Sequence, residues 1–350
     1  MKYSYKCVLI IFLVLTVHGF GQEFDRNDPP GIGDGGLEPL EFERVAQSGW
    51  QFLKLPTNAR QIGMGGIVTA IQYRYGNALF SNPSKIAECS EENYLFAVNQ
   101  VNWIADINYQ TMAIAKYVKP LGGFVGVSFN YLDYGTMVEA HYVRDDVQKD
   151  IAYVGELGTF SAYDMAFGIT YARMVTDRLA FGGTVRYIKS RIDEYSMDNW
   201  IVDMGSSYQT GLKSLRLCLL ARNFGPDSRF INYQEKIKRS PTNIKTPTMM
   251  AVGISYDILD NEESGHLLTT AVEGVHFNDS SEKVNVGLEY KLMQILTLRS
   301  GYRFNYDEES FTFGAGINVS ILDTRLLFDY GYGDFGNLNN IQSFSCSIQF

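Results

Sequence analysis

Beyond its first two dozen residues the chain has no run of about 18 apolar residues, which excludes a transmembrane helix from the mature protein. Cysteine is scarce: Cys7 lies near the N-terminus, and Cys89, Cys218 and Cys346 form an odd set with no metal-binding spacing. Free thiols are the expected state of these three. Past the leader the histidines are His141, His266 and His276, and none has a ligand partner at metal spacing. No Gly-x-Ser-x-Gly elbow and no His-Glu-x-x-His is present, so no constellation calls for an enzyme, a metal or a cofactor. Acidic pairs such as Glu91-Glu92, Asp145-Asp146 and Glu262-Glu263 fall in expected turns and read as solvated. Basic charge is also short, with 30 Lys and Arg against 39 Asp and Glu, and the balance moves further acidic once Lys2 and Lys6 are removed with the leader. That balance argues against a nucleic-acid partner. Two Gly-x-Gly-x-x-Gly matches, at Gly31-Gly33-Gly36 and Gly331-Gly333-Gly336, lack the strand–turn–helix setting that a phosphate loop needs.

What is present begins with a leader. Lys2 and Lys6 precede an apolar run from Val8 to Val17, and small residues follow at Gly19 and Gly21. This is the pattern of a secretory signal over residues 1–21. Residues 22–49 are rich in Gly, Pro, Asp and Glu and predict a flexible acidic segment.

From about Tyr94 the chain reads as strand after strand. The last run places Phe344, Cys346, Ile348 and Phe350 on one face and Ser343, Ser345, Ser347 and Gln349 on the other. Such alternation up to a terminal aromatic suits the closing strand of an outer-membrane barrel, with lipid on one face and a lumen on the other. The last strand of a soluble sandwich looks similar. Comparable alternation recurs in about fourteen segments, centred near Ala97, Thr111, Ser128, Gly168, Thr184, Asp203, Leu219, Gly253, Ala271, Gly287, Arg299, Ala315, Phe328 and Ser347. An even count is what a single-chain bacterial barrel requires. Connections near Leu121, Thr176 and Thr210 are short, whereas Thr136–Phe160 and Phe224–Thr246 are long and polar, and Gly331–Asn340 is moderately long. Long connections therefore gather at one end, the outer one, a parity that a sandwich does not predict. The connection around Asp257–Gly265 is the exception, long on the inner side. Aromatics fit the same picture, since 23 Tyr and 22 Phe can furnish two interfacial girdles. The expected class is an all-β transmembrane antiparallel barrel over residues 93–350, in the outer membrane and in contact with its lipid.

On the face opposite the apolar one, Arg186, Arg216, Arg222, Lys283, Glu289, Arg299, Arg303 and Asp329 are expected to project into one lumen. A salt-bridged, solvated interior is one reading, and a conducting or substrate-lined pore is the other.

Residues 50–92 read as a compact, non-strand segment that must pack at the barrel mouth or inside it. Its core is Phe52-Leu53-Lys54-Leu55-Pro56-Thr57-Asn58-Ala59-Arg60-Gln61-Ile62-Gly63-Met64-Gly65-Gly66, followed by Asn82-Pro83. Gly-Met-Gly-Gly permits close backbone approach and positive φ, and Asn-Pro favours a turn. With Trp103 in the first hairpin, this stretch resembles the PorV/PorQ family of outer-membrane proteins, which look like the FadL fatty-acid transporter fold. The resemblance implies a FadL-like barrel of fourteen strands with an N-terminal plug. It assigns a plug and fold role to Phe52, Pro56, Ala59, Arg60, Gly63, Met64, Gly65, Gly66, Asn82 and Pro83. It further implies an accessory role in type IX protein secretion, with translocon subunits and secreted proteins bearing a C-terminal signal domain as partners. The alternatives are a FadL-like transporter of hydrophobic small molecules and a purely structural barrel.

Overall fold

The structure, a computed structural model, describes residues 48–73, 75–89, 94–145, 150–230, 243–261, 265–322 and 324–350. The leader over 1–21, nearly all of the acidic segment 22–49 and the Gly31 motif lie outside the described residues, as do Glu91, Glu92, Asp146, Glu262 and Glu263.

Fourteen antiparallel strands close on themselves in sequence order. They are β1 (Tyr94–Asn102), β2 (Asn108–Val118), β3 (Gly123–Asp145), β4 (Asp150–Met174), β5 (Leu179–Ile192), β6 (Tyr195–Gln209) and β7 (Arg216–Phe224). The second half comprises β8 (Met249–Asn261), β9 (His266–Phe277), β10 (Lys283–Leu292), β11 (Leu296–Phe304), β12 (Phe311–Ile321), β13 (Thr324–Asp334) and β14 (Asn340–Gln349). Every expected strand centre falls within its strand. Closure is completed where Tyr94 and Phe350 exchange backbone hydrogen bonds of 2.7 and 3.1 Å and stack their rings at 5.5 Å. A closed ladder leaves no unpaired edge in hydrocarbon, where each unsatisfied backbone group would cost several kcal/mol.

The alternation in sequence becomes an inside and an outside. Ile114, Phe129, Ile169, Leu219, Val252, Leu298, Phe313, Phe328 and Phe344 are exposed on the outer surface, while their neighbours Ser128, Thr170, Thr184, Ser343 and Ser347 are buried within. This apolar belt around a closed barrel is the surface of an outer-membrane protein that spans the bilayer many times. Short turns at 119–122, 175–178 and 210–215 mark the periplasmic end, and the longest connection, 225–248 between β7 and β8, lies at the opposite, outer end. Cys218 is a buried free thiol and Cys346 a half-buried one on the outer surface, while Cys89 is buried and its thiol donates to the Tyr73 carbonyl at 3.5 Å.

Two connections differ from expectation. Most of Thr136–Phe160 is strand: beyond Asp133 and Ala162, β3 and β4 pair, among the described residues, only with each other in a ribbon that continues to Asp145 and Asp150, with three register shifts. Each register shift interrupts the period-2 alternation that would mark a strand. The ribbon's sequence therefore reads as a polar loop. Likewise β8 runs on to Asn261, with an irregularity between Asp257 and Leu259, so the inner connection is short after all. The irregularity breaks the alternation that would have marked the strand.

Residues 48–73 and 75–89 occupy the lumen, built from short 3-10 turns and one helix, α1 (Ala59–Gly63). The wall accommodates them with glycine. A Cβ on Gly301 would lie 2.2 Å from the Gly65 nitrogen, and Gly65 itself needs φ +71°. Gly301→Ala should therefore force the plug backbone away from β11, at a cost of about 1–3 kcal/mol. The expected readout is a lower thermal midpoint for loss of the folded band on an unheated gel; an unchanged midpoint would show that the contact is slack.

Candidate functional site

The plug enters at the outer mouth and descends. Ser48 and Gly49 lie beside Lys245 in the β7–β8 connection, and Ser48, Gln51 and Lys54 all donate to Asp279 in the β9–β10 connection. Trp50, Phe52 and Leu53 then bury themselves against Val101, Leu132, Ile188, Met197, Ile201 and Ile341 of the wall. The upper lumen is thus apolar, filled by the plug's own side chains.

Below this cluster, Asn58 caps α1 by accepting from the Gln61 backbone N–H at 3.0 Å, and the Gln61 side chain accepts from the Thr57 N–H at 2.9 Å. That reciprocal cap lets a five-residue helix stand alone. It also sends Arg60 to one side and Gln61 to the other. Arg60 grips Glu289 of β10 with two hydrogen bonds of 2.8 Å. Arg299 of β11 donates to the same carboxylate at 2.7 Å and to Asp329 of β13 at 2.6 Å. Lys291 adds a contact to Glu289 at 3.4 Å. The carboxylates and Arg299 are about 2% exposed or less, so the group is a buried ionic hub whose charges have their partners at hand.

The other interior charges make separate pairs. Arg186 of β5 meets Asp203 of β6 at 2.7 Å, with Arg222 of β7 at 3.6 Å from the same oxygen. Arg216 meets Asp257 at 3.0 Å. Arg303 pairs with Glu309 at the outer mouth, and Lys283 stands 4.0 Å over the Tyr306 ring. The structure therefore unites Arg60, Glu289, Arg299 and Asp329 in one site but leaves Arg186, Arg216 and Arg303 in three others.

All ten motif residues lie in the lumen, buried except for the half-buried Gly66. Phe52 joins the upper apolar cluster. Pro56 lines the outer cavity. The Ala59 N–H donates to Ser345 at 2.9 Å and the Gly65 N–H to Thr312 at 3.0 Å. Gly63 faces Gly314, Met64 covers Gly287, and Gly66, with φ +83°, lies under Arg303. The Asn82 side chain donates to the Ser206 carbonyl at 3.0 Å and caps the turn that starts at Pro83, which lies on Gly182.

Sequence reasoning passed over Glu273, Asp203 and Asp279. Glu273 accepts from the Val68 N–H at 2.9 Å, from the Thr69 N–H at 2.6 Å and from the Thr69 hydroxyl at 2.5 Å. Its inward register was the available signal, hidden because its inward neighbours Ala271 and Val275 are apolar. Asp203 had been placed at a strand centre, and parity with Gly205 and Ser207 marks it as inward. Asp279 is a connection residue with no periodic signal at all.

Two cavities flank α1. The outer one, about 310 Å³, is lined by Leu55, Pro56, Gln61, Trp103, Phe277 and Tyr306 among others. Burial, opposed by Arg303 and reinforced by Glu309, pushes the Tyr306 hydroxyl up to about 12, so it remains a neutral donor. The inner cavity, about 750 Å³, includes Arg60, Arg216, Asp257, His266, Lys291 and Arg325 in its lining. Gln61 faces the first and Arg60 the second, so α1 is the partition between them. Among the described residues no group of His, Cys, Asp or Glu is arranged to hold a metal ion.

No protein-family model matches the chain, and no curated protein matches it. Solved structures do. The toluene transporter TbuX of Ralstonia pickettii is 12% identical, with a TM-score of 0.51 over 85% of this chain and 98% of that one. The toluene transporter TodX of P. putida is 11% identical, with a TM-score of 0.53 over 85% and 97%. The monoaromatic hydrocarbon channel CymD is also 11% identical, at 0.53 over 85% and 97%. At such identity the likeness is one of fold: a FadL-like, fourteen-stranded outer-membrane barrel.

Two expectations follow from the plug's attachments. Glu289→Gln strips the shared anion from Arg60 and Arg299 and should weaken plug docking by about 3–5 kcal/mol. Trypsin should then cut at Lys54 or Arg60 in barrels that are otherwise folded, and continued protection would locate the plug's hold elsewhere. At the mouth, burial raises the Asp279 carboxyl, but bonds from Lys54, Ser48 and Gln51 outweigh it and leave the group below the usual Asp range. A depressed folded value means stabilisation that is full above the unfolded Asp value near ~3.9 and is lost as pH falls through the lower folded one. Protection factors at Ser48–Lys54, with the intrinsic pH dependence of exchange divided out, should fall below about pH 4 and be flat above it; Asp279→Asn should abolish that dependence.

Proposed function

We propose that this barrel passes hydrophobic small molecules across the outer membrane. The observation that carries the reading is the division of the lumen at α1. Above it lie the cluster around Trp50, Phe52 and Leu53 and the 310 Å³ cavity walled by Leu55, Pro56, Trp103, Phe277 and Tyr306. Below it lies the polar, charged chamber. The aromatic walls of the upper cavity, Trp103, Phe277 and Tyr306, offer flat apolar surfaces to a small ligand beside a charged rim of Lys54, Asp279, Lys283, Arg303 and Glu309, and the toluene transporters and the hydrocarbon channel have a similar fold. Ligand in the upper cavity competes for the surfaces that Trp50 and Phe52 cover. Passage then requires α1 to move, which loosens the grip of Arg60 on Glu289.

A second reading, an accessory of type IX secretion, rests on the motif from Phe52 to Gly66 and on the β3–β4 ribbon. Beyond Asp133 and Ala162 the ribbon's outer edges have no strand partner among the described residues, and open edges accept added strands from other chains. In this reading the partners are secreted proteins with a C-terminal signal domain, or translocon subunits.

Cells carrying the barrel should take up radiolabelled toluene faster than cells lacking it. Toluene should also shift the fluorescence of Trp50 and Trp103 in purified Trp200→Phe protein, which removes the lipid-facing third tryptophan. Neither uptake nor a shift, together with recovery of exported proteins on the purified barrel and their loss when the ribbon is trimmed, would transfer the function to secretion.

A further inference from the structure

Outward charge at the periplasmic rim is unevenly placed. Among the described residues, Lys116, Lys119, Arg173, Arg178 and Lys213 are all exposed there, on β2, β4 and the turns that join β2 to β7. The rim of β8–β13 turns Ile258, Met293, Ile295, Ile321 and Leu322 outward instead. This separation is not a consequence of composition, since the chain as a whole is acidic with a net charge of −9.

The cationic side is built at two levels. Lys116 and Arg173 each follow an outward apolar residue in register, Ile114 and Tyr171, and so stand where hydrocarbon gives way to headgroups. The Lys116 ammonium lies 3.9 Å from the ring centre of Tyr94, an interfacial aromatic. Lys119, Arg178 and Lys213 lie one step further out, on three neighbouring turns. Each turn pairs its cation with an exposed apolar residue, Leu121 at 53%, Val175 at 52% and Leu212 at 69%.

The turns are also tied together. The Gln209 N–H donates to the Arg178 carbonyl at 2.8 Å, and the Arg178 guanidinium occupies the space that a Cβ on Gly211 would fill. Arg178 and Lys213 are therefore presented side by side. Asp177 is the acid in these turns, at 3.8 Å from Arg178, and both side chains are more than half exposed, which makes the pair weak in water.

We propose that this crescent binds the headgroups of anionic phospholipids in the periplasmic leaflet. Cations at headgroup depth, apolar tips that dip to the acyl boundary and, among the described residues, no outward Lys or Arg on the rim of β8–β12 are the features of a local lipid site rather than a uniform girdle. Each cation close to an anionic surface strengthens binding about fivefold. The site is independent of what crosses the lumen.

The test uses the purified barrel, stripped of lipid in mild detergent and offered equal amounts of phosphatidylglycerol and phosphatidylcholine with identical acyl chains. Native mass spectrometry should find phosphatidylglycerol retained at least about tenfold over phosphatidylcholine. The combined variant Lys119→Gln, Arg173→Gln, Arg178→Gln, Lys213→Gln should lose the preference. The charge-keeping set Lys119→Arg, Arg173→Lys, Arg178→Lys, Lys213→Arg should retain it. Equal retention by the native chain, or a preference that survives in the neutral variant, overturns the proposal. Should the neutral variant not fold, the native chain at about 1 M salt, where screening acts within ~3 Å, must lose its preference. Stronger retention of lipopolysaccharide than of phosphatidylglycerol also overturns it, because that lipid belongs to the opposite leaflet.

Discussion

The structure depends on one constraint: backbone polar groups within the bilayer have no water to fall back on. The wall meets it by closing fourteen strands, down to the exchange between Tyr94 and Phe350. The plug cannot meet it alone, because its short 3-10 turns and single-turn helix leave most of their N–H groups without internal partners. It borrows partners from the wall instead. Ser345 takes the Ala59 N–H, Thr312 takes Gly65, and one carboxylate, Glu273, takes Val68 and Thr69 together.

That borrowing determines what the inner wall can be. Where the plug backbone approaches closely, the wall is glycine, as at Gly301, Gly314 and Gly331. Where the plug needs acceptors, the wall is Ser, Thr or an acid. Acids so deep in the barrel need compensation, and Arg60 with Arg299 gives it to Glu289 while Arg186 with Arg222 gives it to Asp203. Fold stability and plug position thus rest on the same side chains. A plug that moved would have to exchange these bonds for others of similar strength, so its position is fixed by the wall rather than by loose filling.

The two ends of the lumen differ for the same reason. Near the outer mouth the plug packs by apolar contact, and Asp279 alone gathers Ser48, Gln51 and Lys54. Near the inner end the plug is held by ions. The upper part is therefore held mainly by packing and the lower part by ion pairs, with α1 between them.

Strand number, strand faces and the outward direction of the long connections are local properties, and the sequence determined them by itself. Each needs only period-2 alternation between lipid and lumen, which is why Ser343 to Phe350 and all fourteen strand centres were legible. The inward side of Arg186, Glu289, Arg299 and Asp329 followed from the same parity. Their pairing did not. Glu289 and Arg60 are far apart in sequence, and only strand register around the closed barrel and the depth of α1 bring them together. The extension of β3 and β4 past Asp133 and Ala162 was equally hidden, since the register shifts along it break the periodic trace. So were the two cavities and their partition, because which of Arg60 and Gln61 faces up is decided by the cap at Asn58 and by the wall it meets. Such contacts join residues distant along the chain, and only the tertiary structure decided them.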